Sequence, residues 1–278
     1  MAVPVLAAYD GHVHSAVRLG DQLARLLDLP LHVAVAYHYE PVSVTARQMA
    51  GSLNEARYLA AERALDRVLE ALGTGPDVRR STLPTERVSP GLLALAEELE
   101  AAALVVGPDE RGNVAHELVR EAHCPVVVAP ADELLIPERP HAVGVAYDGS
   151  VGSRFALAAA HRVAIRSGAW LEILAVCTGD RSADPLHDEA RAAAAKLEGV
   201  EVRCTFPHGR PAEELRHACE HLDLLACGSH GRGPLLGAVL GSVSARLIDD
   251  PPCPVLVVPA HARRDSAAPL GVTTARRT

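Results

Sequence analysis

At 278 residues, 49% apolar but only 3% aromatic, the chain can bury one large core or two ordinary ones, built from Ala, Val and Leu rather than from rings. A formal net charge of −8 argues against a nucleic-acid or anionic-membrane surface as the main contact. No run approaches the roughly 20 apolar residues that span a bilayer, so no membrane partner is expected.

Taken in order, residues 3–9 read as a strand. The turn at 10–15 leads into a helix ending near Leu29, where Pro30 cannot continue it. Residues 32–37 read as a second strand, 39–45 as a loop, and 46–72 carry a long helical period. A strand over 78–83, a helix over 90–100 and a strand over 103–106 follow, and Val126 to Ala129 closes this half. Residues 132–141 hold two prolines and several charges around a short apolar patch, and read as a linker. Beyond it come a strand (142–147), a helix (153–167), a strand (171–176), a helix (183–197), a strand (201–206) and a helix (211–222). A buried strand over 224–227, a glycine-rich loop, a helix opening at Gly241-Ser242 and a strand over 255–258 complete the second half. Residues 261–278 show no apolar period and are expected to be disordered.

Two passages rhyme. Val5-Leu-Ala-Ala-Tyr-Asp10-Gly11 matches Val143-Gly-Val-Ala-Tyr-Asp148-Gly149, and Cys124-Pro-Val-Val-Val-Ala-Pro130 matches Cys253-Pro-Val-Leu-Val-Val-Pro259. Strand–helix alternation of this kind makes a doubly wound parallel sheet. The expected fold is therefore α/β: two tandem Rossmann-like domains, 1–131 and 142–260, each a five-stranded mostly parallel sheet flanked by helices. The closing strands are short and apolar, and their unpaired edges invite each half to satisfy the other as an internal pseudo-dimer. A further homodimer of tandem chains is compatible with the same edges.

The six cysteines (124, 177, 204, 219, 227 and 253) form no CxxC pair and mostly sit in or beside apolar runs, as reduced buried thiols do. The N-terminal MAVPVLAAYDGH has no basic region and meets Asp10 early, unlike a signal peptide. A cytoplasmic location is expected.

The loop after residue 227 carries the chemistry. Gly228, Gly231 and Gly233 lack Cβ, so the backbone can take left-handed angles there and a ligand can come close. Successive N–H groups in such a turn form a concave nest for anions. The first amides of the helix at Gly241-Ser242 have no intrahelical partner, and its dipole attracts negative charge. A phosphate between nest and helix would satisfy both. Ser242 and Ser244 offer hydroxyls, unless Ser242 is only a cap. The same glycines would equally serve a plain turn or close helix–strand packing, and the pattern alone leaves both open. In the first half the corresponding stretch, Gly107 to Pro125, spans 18 positions against 26 for Gly228 to Pro254. It lacks the Gly-Ser start and sets Asp109 and Glu110 where amides should meet phosphate, and two carboxylates there repel a polyphosphate. Only the second half is expected to hold a nucleotide in this way.

Other constellations are weaker. His217 and His221 stand one helical turn apart, a metal-ligand spacing without a third ligand nearby, so a surface pair is the simpler reading. His12 and His14 flank the first turn beside Asp10 and read as solvated. The single lysine, Lys196, lies in an alanine-rich helix, so no P-loop is present. The Asp148-Gly-Ser-Val-Gly-Ser turn is no dinucleotide fingerprint.

The pattern Gly228-x2-Gly231-x9-Gly241-Ser242, followed by Val243-Ser244 and the Cys-Pro-Val-Leu-Val-Val-Pro strand, resembles the nucleotide-binding signature of the universal stress protein family. That resemblance implies ATP as the cofactor, with any magnesium held by the phosphates themselves. Three strand ends then converge on the ligand: Ala146-Tyr147-Asp148, Val176, and the Cys227-Gly228 turn. By the resemblance, Ala146, Asp148 and Val176 meet base and ribose, while Gly228, Ser229, Gly231, Gly241, Ser242, Val243 and Ser244 meet ribose and phosphates. The family often has Pro-Thr or a similar pair where this chain has Ala146-Tyr147. Asp148 also has a plain reading as a turn or capping residue. His230 and Arg232 flank the nest, either meeting a γ-phosphate or simply solvated. No catalytic residue and no protein metal ligand is expected, and slow ATP hydrolysis would not need one. The implied role is a nucleotide-dependent stress sensor or interaction module with an unidentified protein partner. The alternative is an adaptor whose nucleotide site is vestigial.

Overall fold

The structure, a computed structural model, describes residues 3–40, 47–73, 78–108, 113–177, 185–230 and 240–259. The 261–278 tail, Asp109, Glu110, Gly231, Arg232, Gly233 and most of the 39–45 loop therefore lie outside the described residues.

The first half runs β1 (Val5–Tyr9), α1 (Ser15–Leu27), β2 (Leu31–His38), α2 (Arg47–Leu72), β3 (Val78–Thr85), α3 (Val88–Glu98), β4 (Ala103–Val106), α4 (Asn113–Glu121) and β5 (Val126–Val128). The second runs β6 (Ala142–Ala146), α5 (Val151–Ser167), β7 (Trp170–Leu174), α6 (Pro185–Ala194), β8 (Val202–Thr205), α7 (Pro211–Ala218), β9 (Leu224–Gly228), α8 (Ser242–Asp249) and β10 (Val255–Val258). All ten strands form one sheet in the order β3-β2-β1-β4-β5-β10-β9-β6-β7-β8. Pairing is parallel within each half, and the halves join through the antiparallel pair β5–β10, with Val127 opposite Leu256. The α/β expectation of two five-stranded, doubly wound halves is thereby met, with the two sheets fused into one.

Alternation along the strands explains why both faces need helices. Val5, Ala7 and Tyr9 point into one apolar layer with α1, α2, α5 and α6, while Leu6 faces the other with α3, α4, α7 and α8. Each layer draws residues from both halves, so the core is continuous across the β5–β10 seam. Fully buried Leu6, Leu104, Leu171 and Leu225 each contribute about 1.5–3 kcal/mol of transfer free energy.

The structure adds detail to three local readings. Helix α4 went unread between residues 106 and 126; its buried face is Ala115, Leu118 and Val119, a helical spacing in a stretch of only nine residues. Within 132–141, Asp132 caps a short 3-10 turn (Glu133–Leu135), and Ile136 is only 1% exposed in the core, so this connection is anchored rather than free. Tyr147 and Val176 lie just past the ends of β6 and β7 rather than inside them.

Candidate functional site

The carboxyl ends of β6, β7 and β9 open on the same side of the sheet, as parallel strands must, and the starts of α7 and α8 close the space above them. The result is a cavity of about 540 Å³, within the range of roughly 300–1,000 Å³ usual for small-molecule sites. Of the residues singled out in the sequence, Ala146, Tyr147, Asp148, Val176, Cys227, Gly228, Gly241, Ser242, Val243 and Ser244 line it. Ala146, Leu174, Val176 and Leu215 give the lining an apolar part, and Gly241, Ser242 and Ser244 add the start of α8. Leu174, Pro211 and Leu215 were not anticipated. Pro211 and Leu215, four apart on α7, share one helical face, and that spacing was the available signal.

Several polar groups on the wall have defined partners. Asp148 Oδ1 accepts the Ser150 amide at 2.9 Å, which sets the turn into α5, and Ser150 Oγ caps that helix by accepting from Ser153 N at 3.1 Å. Tyr147 is buried, its hydroxyl donating to Glu189 Oε1 at 3.3 Å, and burial pushes its phenol pKa up. Burial likewise holds the Cys227 thiol up at about 12. Such a thiol is a neutral apolar group on the wall and no nucleophile at neutral pH.

The loop frame differs from expectation in three places. Gly228 is not in the left-handed region; its missing side chain instead lets the end of β9 run against the backbone of α5 at Gly152. Ser229 is fully buried behind the wall rather than on it: its amide donates to Val258 O at 3.0 Å, and its carbonyl accepts Gly241 N at 2.9 Å. Ser244 Oγ lies 3.0 Å from Gly241 O and 3.2 Å from Ser229 O, so its proton is directed at the loop's own carbonyls. Ser242 is the first residue of α8 and exposed; the cap itself is Gly241, with an extended ψ of 143° and no side-chain bond. Gly241 and Ser242 thus bring the open start of a helix to the cavity, the arrangement that accepts an anion. His230, on the same wall, meets Ser229 Oγ through Nδ1 at 2.9 Å. Gly231 and Arg232 lie outside the described residues.

The paired histidines do not converge. His217 Nδ1 meets Glu220 at 3.2 Å, whereas His221 Nε2 meets the buried Glu172 at 2.9 Å. No group of three His, Cys, Asp or Glu side chains able to hold a metal ion occurs among the described residues. His14 lies against the Tyr9 ring, centroids 5.5 Å apart, and Asp10 Oδ1 accepts the amides of His12 and Val13. None of the six cysteines forms a disulfide, and five are buried. No helix among the described residues is long and apolar enough to cross a membrane.

Comparison with known proteins follows the same outline. The family model for the Universal stress protein family matches residues 1–130 and 141–259. A universal stress protein of Mycobacterium tuberculosis is 35% identical over 182 residues, covering 57% of this chain and 62% of its own length. The chain thus spans less than two thirds of that relative. A second one from the same species is 27% identical over 277 residues, covering 88% of this chain and 95% of its own. Among solved structures, a universal stress protein from Archaeoglobus fulgidus superposes with a TM-score of 0.67 at 19% identity, over 92% of this chain and 96% of its own. That likeness concerns the fold.

Proposed function

The chain belongs to the universal stress protein family, and from that premise we propose that its second half binds an adenine nucleotide, ATP, in the cavity between β6, β7, β9 and α8. One observation carries the reading: an apolar set of side chains and an open helix start line the same cavity of about 540 Å³. The base takes the side of Ala146, Val176 and Leu215, the ribose lies near Asp148, and the phosphates lie toward Gly241 and Ser242. Magnesium arrives with the phosphates rather than on a protein ligand.

The role is that of a cytoplasmic nucleotide-dependent sensor or interaction module in a stress response, engaging an unidentified protein partner. Rapid hydrolysis is not part of it. Both titratable side chains among the described wall residues that could serve as a base already hold structural contacts, Asp148 Oδ1 with the Ser150 amide and His230 Nδ1 with Ser229 Oγ, and no catalytic role is assigned to either. Calorimetry on the intact chain tests the reading: ATP binds once per chain, and absence of binding at millimolar ATP defeats it. The adaptor reading, with a vestigial site, is favoured by the inward commitment of Gly228 and Ser244. A melting temperature unmoved by ATP would select it.

A further inference from the structure

The first half has a cavity at the equivalent place, about 550 Å³, bounded by the ends of β1, β2 and β4 and the starts of α3 and α4. Strand registers align the halves residue by residue, since Val5 pairs with Leu31 as Val143 pairs with Leu171. Ala8, Asp10, Ala36 and Leu92 therefore stand where the second half has Ala146, Asp148, Val176 and Leu215, and all eight line their cavities. Asp10 even keeps the turn contact of Asp148, its Oδ1 accepting amides two and three residues on. The apolar end is thus duplicated.

The other end is replaced. Helix α4 opens with Asn113-Val114-Ala115, aligned with Ser242-Val243-Ser244, so both hydroxyls are gone. One turn further, Glu117 occupies the position of Arg246 and, unlike that arginine, lines its cavity, so a carboxylate is added to the wall. Arg87, also on the wall, is engaged by it: Nη2 lies 3.1 and 3.2 Å from the two carboxylate oxygens. A phosphate entering there would meet a carboxylate and would have to break an ion pair to reach the guanidinium.

The serine beneath the cavity also differs between the halves. In the second half Ser153 Oγ donates to Ser150 O at 3.0 Å. Its counterpart Ser15 is fully buried, and its hydroxyl has no hydrogen-bond partner. That oxygen lies 3.7 Å from where a Cβ on Gly107, a cavity-wall residue, would stand. Ser15 does not itself line the cavity, but its unsatisfied hydroxyl leaves an unmet polar group directly behind the Gly107 wall, where Ser153 is satisfied.

We propose that this first-half cavity is a second ligand site, one that takes an uncharged nucleoside and rejects nucleotides. The proposal rests on the reading that the duplicated end receives a base; the other end, without the Ser242 hydroxyl and with the Glu117 carboxylate on its wall, turns phosphates away.

Adenosine is the probe. In the full-length Gly241→Arg chain, whose second cavity is obstructed, calorimetry is expected to find one adenosine per chain, with an affinity little changed by salt, and no ATP bound at the same concentration. Ala36→Phe and Val114→Trp, from opposite walls, should each weaken adenosine at least about tenfold by filling the space, with circular dichroism confirming the fold and ATP binding at the second half unchanged. If the Gly241→Arg chain fails to bind adenosine at millimolar concentration, or binds ATP equally well, the proposal is overturned, whatever ATP does with the unaltered chain. An unaltered chain that ignores ATP, alongside a Gly241→Arg chain that binds adenosine, would defeat the second-half reading and leave this one standing.

Discussion

A Cβ placed on Gly228 would stand 2.8 Å from the carbonyl carbon of Gly152 and 3.0 Å from its Cα. From the other side, a Cβ on Gly152 would stand 3.5 Å from Gly228 Cα and 3.0 Å from His230 O. Backbone meets backbone here, so no side chain can rotate away. The two glycines let β9 and the start of α5 touch, and that contact fixes the floor of the second-half cavity. Gly228→Ala is therefore expected to cost about 1–3 kcal/mol of stability, read from the urea midpoint, and to weaken ATP binding with it. Gly241→Ala should cost less, since its φ of −63° suits any residue and its nearest neighbour would be Ser229 O at 3.2 Å. Equal costs at both sites would show that the Gly228–Gly152 approach carries no weight.

Ser242 and Ser244 separate frame from ligand contact. Ser244 is buried and bonded to the loop carbonyls, so Ser244→Ala should lower stability by about 1 kcal/mol. Ser242 is exposed at the start of α8, and Ser242→Ala should leave the melting curve in place while weakening ATP by roughly three- to tenfold, the worth of one hydrogen bond. Thermal denaturation and calorimetry on the two variants decide it. An ATP affinity insensitive to Ser242→Ala would remove that hydroxyl from the site.

His221 and His217 look alike in the sequence and differ in the fold. Glu172 is 6% exposed on β7, the strand next to the edge strand β8, and its two oxygens are taken by Thr205 Oγ1 and His221 Nε2. His221→Ala strips one partner from a buried carboxylate and should cost about 1–3 kcal/mol. His217→Ala, on an exposed surface pair, should stay within about 0.5 kcal/mol. A metal site would behave differently, with both histidines needed together for a zinc-dependent rise in melting temperature.

Burial gives the protein an alkaline limit. Cys124 and Cys227 thiols ordinarily titrate at 9.0, and burial raises both to about 12. Above pH 9 the unfolded chain gives up these protons while the folded chain keeps them. Their contribution to stability is therefore complete below pH 9 and is lost as the pH climbs through 12. Urea midpoints should fall steadily from about pH 9 upward, and Cys124→Ala should flatten that fall relative to its own value at neutral pH. The same thiols should resist alkylation in the native protein and react only on unfolding.

What the sequence could convey followed from how far each signal reached along the chain. Strand runs such as Val5-Leu-Ala-Ala-Tyr, the paired Tyr-Asp-Gly turns and the Cys-Pro-Val closures are local, so the doubled α/β plan and the wall residues Ala146, Asp148 and Val176 were readable. Gly228 was left open between a nest or turn glycine and close helix–strand packing, because the chain does not display Gly152, 76 residues earlier, lying against it. Ser229 was read as a ligand contact for the same reason: only the sheet shows that β10 holds its amide. Ile136 and helix α4 were legible in principle, each marked by apolar residues, but short apolar signals beside prolines and charges are easily taken for loop.

The seam between the halves can be tested in the whole chain. Val127 and Leu256 stand directly opposite in the antiparallel β5–β10 pair and point into the same apolar layer. Opposed residues in such a pair have Cα atoms about 4.5–5.5 Å apart, inside the roughly 4.4–6.8 Å window that a disulfide needs. The Val127→Cys, Leu256→Cys chain should therefore oxidise within one molecule, running as a monomer on a non-reducing gel. Closing a loop of that length should raise stability by up to about 5 kcal/mol, less whatever strain the bond introduces. If β5 instead pairs with β10 of a second chain, as an exchanged dimer would have it, the same variant yields covalent dimers. The distribution between the two bands reports whether the seam is internal, and a dimer band alone would refute the internal pseudo-dimer.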